Sequence, residues 1–239
     1  MSDDELFRSL LNTPEASTVV SHAATVIVGR DSADGMSILM MRRSSKIAFG
    51  GMWVFPGGKV DADDYDPAAP KDLIGASARA GVREAKEEGD LDLVVTALVP
   101  YSHWSPPPEA PRRFLTWFFI VSAPSGPAGD VTIDETEITE HAWLTPRDAL
   151  DHHRAGEIEL APPTYVTLCD LADFSSIDDA LDRARRREPV RFVTHMVMSE
   201  DGPIAMWRGD AGYEARDPTV PGPRHRVVMG PDGWSLLRS

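Results

Sequence analysis

Apolar positions along the chain recur with two different periods. Residues 19–28 are rich in Val, Ala and Thr, residues 37–42 form a second apolar run, and the turn-like stretch 31–35 between them predicts a pair of strands. Over residues 71–89 the period changes. At about 100° per residue, Ala78, Val82 and Ala85 share one side while Glu84, Glu87 and Glu88 fall on the opposite one, which predicts a helix with a small-residue packing face. Gly75 and Gly81 each cost about 1 kcal/mol in a helix interior, a cost that weighs on the start of this helix.

Residues 91–99 and 114–121 read as strands, and Pro106, Pro107, Pro108 and Pro111 make a stiff loop of residues 105–111. Residues 138–144 read as a short strand. Thr145 then stands as N-cap before Pro146, opening a helix that runs to His153. Helices are expected over 164–174 and 176–187, the second started by a Ser-Ile-Asp-Asp cap. From about Glu188 the texture turns to β: runs 190–198 and 204–207 flank Asp201-Gly202, and runs 226–229 and 234–237 flank residues 230–233. The pattern predicts a domain over residues 1–187 followed by an appended β segment, 188–239.

Between the first strands and the long helix lies a connection bearing Phe49, Gly50, Gly51, Phe55, Pro56, Gly57 and Gly58, followed by a polar acidic loop over 61–70. Loops of this length in compact domains are usually functional. Charge narrows the class of ligand. With 24 basic against 38 acidic residues the net charge is −14, so the chain repels nucleic-acid backbones and anionic lipid. A polyphosphate substrate would need a divalent cation between it and the carboxylates. Cys169 is the single cysteine, so no intramolecular disulfide can form. The acidic start (Met1 to Glu5) and the absence of a run approaching about 18 apolar residues lead to the expectation of a cytoplasmic protein.

Taken alone, Arg83-Glu84-Ala85-Lys86-Glu87-Glu88 is compatible with a solvated acidic helix face. Its spacing nevertheless sets Glu84 beside Glu88 and Glu87, like-charge neighbours that destabilise a helix by a few tenths of a kcal/mol unless a cation neutralises them. Mg²⁺ takes one or two carboxylates plus phosphate oxygens. Downstream of Phe55-Pro56-Gly57-Gly58, where glycines let the backbone approach a ligand closely, the helix resembles the Nudix box, G-x5-E-x7-R-E-U-x-E-E-x-G-U with U aliphatic. Gly58 matches the opening glycine, Asp64 stands at the first acid, and Arg83, Glu84, Glu87 and Glu88 match the core, followed by Leu91. Two features depart from the pattern. From Asp64 to Arg83 is 19 positions, against eight in the general box, and Asp90 replaces a glycine. Residues Ile38 to Ser44, Trp53 to Asp61 and Trp104 to Phe114 extend the similarity to a branch that includes coenzyme A and acyl-coenzyme A diphosphatases, although Ile47 stands where that signature has an arginine.

The resemblance implies an α/β fold, the Nudix α/β/α sandwich with a mixed sheet, here with a C-terminal β-rich appendage. It implies a diphosphatase in which Glu84, Glu87 and Glu88 hold Mg²⁺ or Mn²⁺, Arg83 orients them, and a metal-activated water attacks a phosphoanhydride in a nucleoside-diphosphate-linked metabolite. The proton acceptor is Glu84 or one of Glu135, Glu137 and Glu140; a solvated loop is the alternative for these three. Gly57 and Gly58, with Arg42 and Arg113 among the cations Arg42, Arg43, Lys46, Arg112 and Arg113, are the candidates for holding the substrate. His103 and Trp104 are either ligand contacts or packed aromatics; Trp53, Phe55 and Trp143 are assigned to the core. The implied partner is a small-molecule diphosphate, with no nucleic acid and no membrane, for a monomer or a homodimer. Hydrolysis of another nucleoside diphosphate derivative (ADP-ribose, NADH or a dinucleoside polyphosphate), a nucleotide-sensing module without catalysis, and an assembly role for residues 188–239 are the competing functions.

Overall fold

The computed structural model describes residues 19–33, 35–45, 50–110 and 112–239. Lys46, Ile47, Phe49, Pro111 and the acidic start of the chain lie outside them. In chain order the strands and helices are β1 (Val19–Ser32), β2 (Gly35–Arg43), β3 (Trp53–Val54), β4 (Gly57–Lys59), α1 (Leu73–Gly89), β5 (Val99–Ser105), β6 (Arg112–Ser122), β7 (Ile138–Leu144), α2 (Pro146–Arg154), α3 (Pro162–Leu171), α4 (Ile177–Arg185), β8 (Val190–Val193), β9 (His195–Ser199), β10 (Gly202–Met206), β11 (His225–Gly230) and β12 (Gly233–Arg238). Two compact units emerge, residues 22–103 with 116–190, and residues 104–115 with 191–239.

The first unit is the α/β part, with a mixed sheet and helices. Its strands run in the order β3-β2-β1-β6-β5, with β4 on β1 and β7 on β2. The hairpin β1–β2 turns where expected, through Ser32 and Gly35, the latter at φ 107°, a conformation that glycine adopts without strain. Strand alternation then separates two faces. Ala24, Val26 and Val28 of β1 and Leu39 and Met41 of β2 pack with Ala78, Ala80 and Ala85 of α1. On the other face Gly29 and Ile38 meet Ile177 at the start of α4, where a Cβ on Gly29 would come within 2.4 Å of Ile177 Cδ1. Helices therefore cover the sheet on opposite sides.

The glycines of α1 have packing reasons. A Cβ on Gly81 would stand 2.7 Å from Val26 Cγ2, and one on Gly75 would strike Asp72, whose carboxylate caps the helix by accepting the Gly75 N–H at 2.9 Å. Asp90, which replaces the pattern's glycine, ends the helix in the left-handed conformation at φ 54°, and its N–H closes onto the Ala85 and Lys86 carbonyls. Asp tolerates that region better than most residues; Lys86 also reaches it, at 2.5 Å.

Three expectations change. Residues 91–99 are not a strand: Leu91 and Leu93 are buried, but Val94 is exposed and a 3₁₀ turn, Val95–Ala97, precedes β5, so the alternation anchors a connection rather than a ladder. The β5 strand instead runs to Ser105, into the stretch expected as loop. Finally, the glycine-bearing connection is partly strand, because Gly57 lets β4 lie against β1: a Cβ there would be 2.2 Å from the Ala24 carbonyl oxygen.

The second unit carries a four-stranded antiparallel sheet, β12-β11-β10-β9. Residues 190–198, read as one strand, break at Thr194 into β8 and β9. Trp104 is buried and stacked on Phe192 at 3.8 Å between ring centroids, with Trp207 edge-on, so it is a packed aromatic. Asp210 and Arg226 form a buried ion pair beneath the chain joining β10 to β11.

Candidate functional site

In the first unit, one arginine gathers most of the acidic residues of the box. Arg83 donates from Nη2 to Asp64 Oδ2 at 2.9 Å and from Nε to Oδ1 at 3.3 Å, a two-pronged hold. Its Nη1 donates to Glu84 Oε1 at 2.9 Å and to Glu87 Oε2 at 3.1 Å, and Nη2 also reaches the Lys59 carbonyl at 2.9 Å. The hydrogen bond to Asp64 is the chief cause of a guanidinium pKa pushed well above its ordinary value.

Asp64 meets Arg83 despite the insertion. Residues 62–64 form a 3₁₀ turn in which Asp61 and Asp64 cap each other, and Asp64 is buried. Residues 65–72 then leave and return through turns, so the extra length is spent outside the contact. Arg79, one helical turn before Arg83, donates to the Asp64 backbone carbonyl. Arg79 is no part of the box pattern; its spacing of four from Arg83 sets both on one helix face.

For Glu88 the alternative of a solvated acidic face does not hold: its side chain is 4% exposed, its Oε2 accepts the Gly57 N–H at 2.8 Å, and its Oε1 faces Arg43 Nη1 at 3.4 Å. The helix rolls on the sheet so that the glutamate edge turns toward β4 and β2. Burial pushes the Glu88 carboxyl up to about 7, against the pull of Gly57 and Arg43. Burial also raises that of Glu84, opposed by Arg83. Gly58 lies so close to Glu84 that a Cβ would stand 2.3 Å from its carboxylate. The two glycines thus serve different neighbours, Gly57 the strand behind it and Gly58 the carboxylate in front.

Of the three acidic candidates Glu135, Glu137 and Glu140, Glu137 approaches this cluster. Its Oε2 meets Arg43 Nη2 at 3.2 Å, and its charge raises the carboxyl pKa of both Glu84 and Glu88. Glu140 pairs instead with Arg42 at 2.6 Å, both exposed, and Glu135 occupies the left-handed turn position at φ 58°. Arg113 is half-buried on β6 and belongs to the second unit. Phe55 is buried against Phe118; Trp53 and Trp143 are half-buried, with Arg30 over the Trp143 ring. His103 lies beside Trp117, 4.8 Å between centroids.

A family model for the NUDIX domain matches residues 20–163, more than half of the chain. The chain belongs to the Nudix family. It is 31% identical over 146 residues to an acyl-coenzyme A diphosphatase of Xenopus laevis, covering 56% of this chain and 36% of that protein. To the acyl-coenzyme A diphosphatase of Gallus gallus it is 30% identical over 150 residues, 58% of this chain and 38% of the other. The chain thus spans somewhat over a third of the length of these relatives. A Nudix hydrolase of Alicyclobacillus acidocaldarius shares the fold, with a TM-score of 0.62 at 23% identity over 70% of this chain and 97% of the other. Among the described residues, no helix is long and apolar enough to cross a membrane.

Proposed function

We propose that this Nudix protein is a divalent-metal-dependent diphosphatase that hydrolyses the phosphoanhydride of a nucleoside-diphosphate-linked metabolite, with coenzyme A or an acyl-coenzyme A as the substrate class. The observation that carries the reading is the crowding of Glu84, Glu87, Glu88 and Glu137 around two arginines, directly against the backbone of Gly57 and Gly58. The substrate class rests on the similarity to the two acyl-coenzyme A diphosphatases.

The residues suit a hard cation chemically. All the donors are carboxylate oxygens, and the raised pKa of Glu84 and Glu88 means that their charge is held at a cost a cation would remove. Among the described residues no three acidic or histidine side chains already converge as a cage; Arg83 and Arg43 stand between them, with Glu84 Oε2 and Glu87 Oε1 outside the Arg83 contacts. Glu84, Glu87 and Glu88 would hold Mg²⁺ or Mn²⁺. When bound, the ion neutralises phosphate charge and makes a water nucleophilic at neutral pH.

The chain's own groups do the rest. Arg83 fixes the rotamers of Glu84 and Glu87 from behind. Gly57 donates its N–H to Glu88 and Gly58 leaves room for the Glu84 carboxylate, so the two glycines seat the carboxylates that would face the diphosphate rather than the substrate itself. Arg42, paired with Glu140, stays outside this cluster. Glu137 accepts the proton of the attacking water; the new P–O bond forms as the bridging P–O bond breaks, its electron pair leaving on the departing phosphate. Residues 1–187 would carry this chemistry, except that segment 104–115 belongs to the same compact unit as residues 191–239, and residues 188–239 would form an appendage.

A turnover screen with Mg²⁺ or Mn²⁺ over coenzyme A, acyl-coenzyme A, ADP-ribose, dinucleotides, dinucleoside polyphosphates and nucleoside triphosphates, read by mass, tests the proposal. Coenzyme A is expected to give 3′,5′-ADP and 4′-phosphopantetheine. Hydrolysis of ADP-ribose or a dinucleotide alone would retain the mechanism and overturn the substrate.

A further inference from the structure

Arg42 and Arg43 are adjacent, yet they have different fates. The β2–β7 ladder shifts register between them: Arg42 pairs with Glu140 and Arg43 with Ile138, leaving Thr139 as an extra residue. The extra residue lies in β7 and re-aims that strand, while on β2 ordinary alternation sets Arg43 on the α1 side with Leu39 and Met41 and Arg42 on the other. Arg42 points to solvent and Glu140, whereas the Arg43 side chain is 17% exposed and turns inward. Backbone bonds fix its base, with Arg43 N–H to Met52 O at 3.0 Å, Gly51 N–H to Arg43 O at 2.9 Å and Ser44 N–H to Glu137 O at 2.7 Å.

The guanidinium bridges two elements. Nη1 faces Glu88 of α1 at 3.4 Å and Nη2 faces Glu137 at 3.2 Å, while Nε is enclosed without a hydrogen-bond partner among the described residues, so that among these the two carboxylates orient the group. Glu137 itself is 57% exposed, and its charge repels Glu84 and Glu88. Without a cation between them, repulsion and solvation would both draw the Glu137 carboxylate outward. The turn before β7 is otherwise tied through Asp134, which accepts the Glu137 and Ile138 N–H groups at 2.9 Å and holds the backbone rather than this side chain.

We infer that Arg43 is a positioning residue, which clamps the Glu137 carboxylate beside Glu88 and so sets the proton acceptor at the reaction centre. This inference rests on the proposed diphosphatase reading. It assigns to Arg43 a role in turnover rather than in substrate affinity, since both terminal nitrogens are spent on protein carboxylates.

A double-mutant cycle tests it, with Arg43→Gln and Glu137→Gln alone and together and Arg43→Lys as the charge-retaining control, each read for kcat, KM and thermal unfolding. Arg43→Gln should lower kcat by about 100-fold, the cost of a small misplacement, with KM nearly unchanged. Glu137→Gln should lower kcat by about 100-fold or more. The double variant should be no slower than Glu137→Gln, and Arg43→Lys should recover part of the loss. A double variant slower by the full product of the single effects, or a rise in KM at constant kcat, overturns the clamp while leaving the diphosphatase reading intact. If the wild type turns over none of the screened diphosphates, that reading fails and the role in turnover with it, although the unfolding cycle would still register an Arg43–Glu137 pair.

Discussion

Two arginine–carboxylate centres in this molecule show how differently the same chemistry can be used. In the second unit Arg226 meets Asp210 one to one: Nη2 donates to Oδ1 at 2.6 Å and Nε to Oδ2 at 2.7 Å, and the Gly212 and His225 N–H groups satisfy the remaining lone pairs. The Asp210 side chain is 0% exposed, and these partners overcome its burial to bring its carboxyl down to about 2. In the first unit Arg83 is 30% exposed and shares its donors among Asp64, Glu84 and Glu87, while Glu88 and Glu137 share Arg43. Here burial wins and the pKa values of Glu84 and Glu88 rise. A centre whose charges balance has structural work to do. One with surplus negative charge still has affinity left for a cation.

The largest expected effect lies on the surplus side. Glu87→Gln and Glu88→Gln should each lower turnover of coenzyme A by about 10²-fold, and together by about 10⁴-fold, with circular dichroism unchanged. Near-wild-type turnover of the double variant at saturating Mg²⁺ would erase the functional half of the contrast.

On the balanced side, Arg226→Ala leaves Asp210 buried and unpaired and should cost about 3–5 kcal/mol in denaturant unfolding. Arg83→Ala should cost less stability, because water can replace its donors at a partly open site. Equal losses would mean that both centres are structural.

The two centres should also respond oppositely to pH in protein stripped of metal. Glu88 has a folded pKa of about 7 against an ordinary 4.5, so the folded state binds the proton more tightly. Its stabilising effect is complete below about pH 4.5 and is lost as pH rises to about 7, by up to about 3 kcal/mol. Asp210, depressed to about 2 from 3.8, contributes above its unfolded pKa and loses that contribution as pH falls toward 2. Thermal unfolding between pH 4.5 and 8 should therefore show a decline that Glu88→Gln flattens. Millimolar Mn²⁺ should offset it, by about 2.7 kcal/mol at a hundredfold excess over Kd. A flat profile, unaffected by Mn²⁺, would contradict the surplus-charge account.

The smallest effect concerns what brings the helix to the sheet. Gly81→Ala places a methyl 2.7 Å from Val26 Cγ2 and should destabilise by about 1–3 kcal/mol despite the better helix propensity of Ala. A gain in stability would show that Val26 yields, and that the position of α1 does not depend on this contact.

Much of the cluster is legible in the sequence itself. Glu84, Glu87 and Glu88 follow Arg83 at helical spacing, and helix geometry is local, so their adjacency and the Arg83–Glu87 pair could be read from position alone. The Thr145 cap, the Pro146 start and the Ser32–Gly35 turn are likewise set by short-range backbone chemistry. Burial was not legible in the same way. The roll of α1 that hides Glu88 depends on where Gly81 and Gly89 let the helix approach Val26 and Met41, contacts between residues far apart in the chain. The joining of Asp64 to Arg83 across a 19-residue separation, and the approach of Glu137 rather than Glu135 or Glu140 to Arg43, are decisions of tertiary structure for the same reason. Periodicity and capping are written within a few residues. Which charge is buried, and beside which partner, is decided by how separate elements pack.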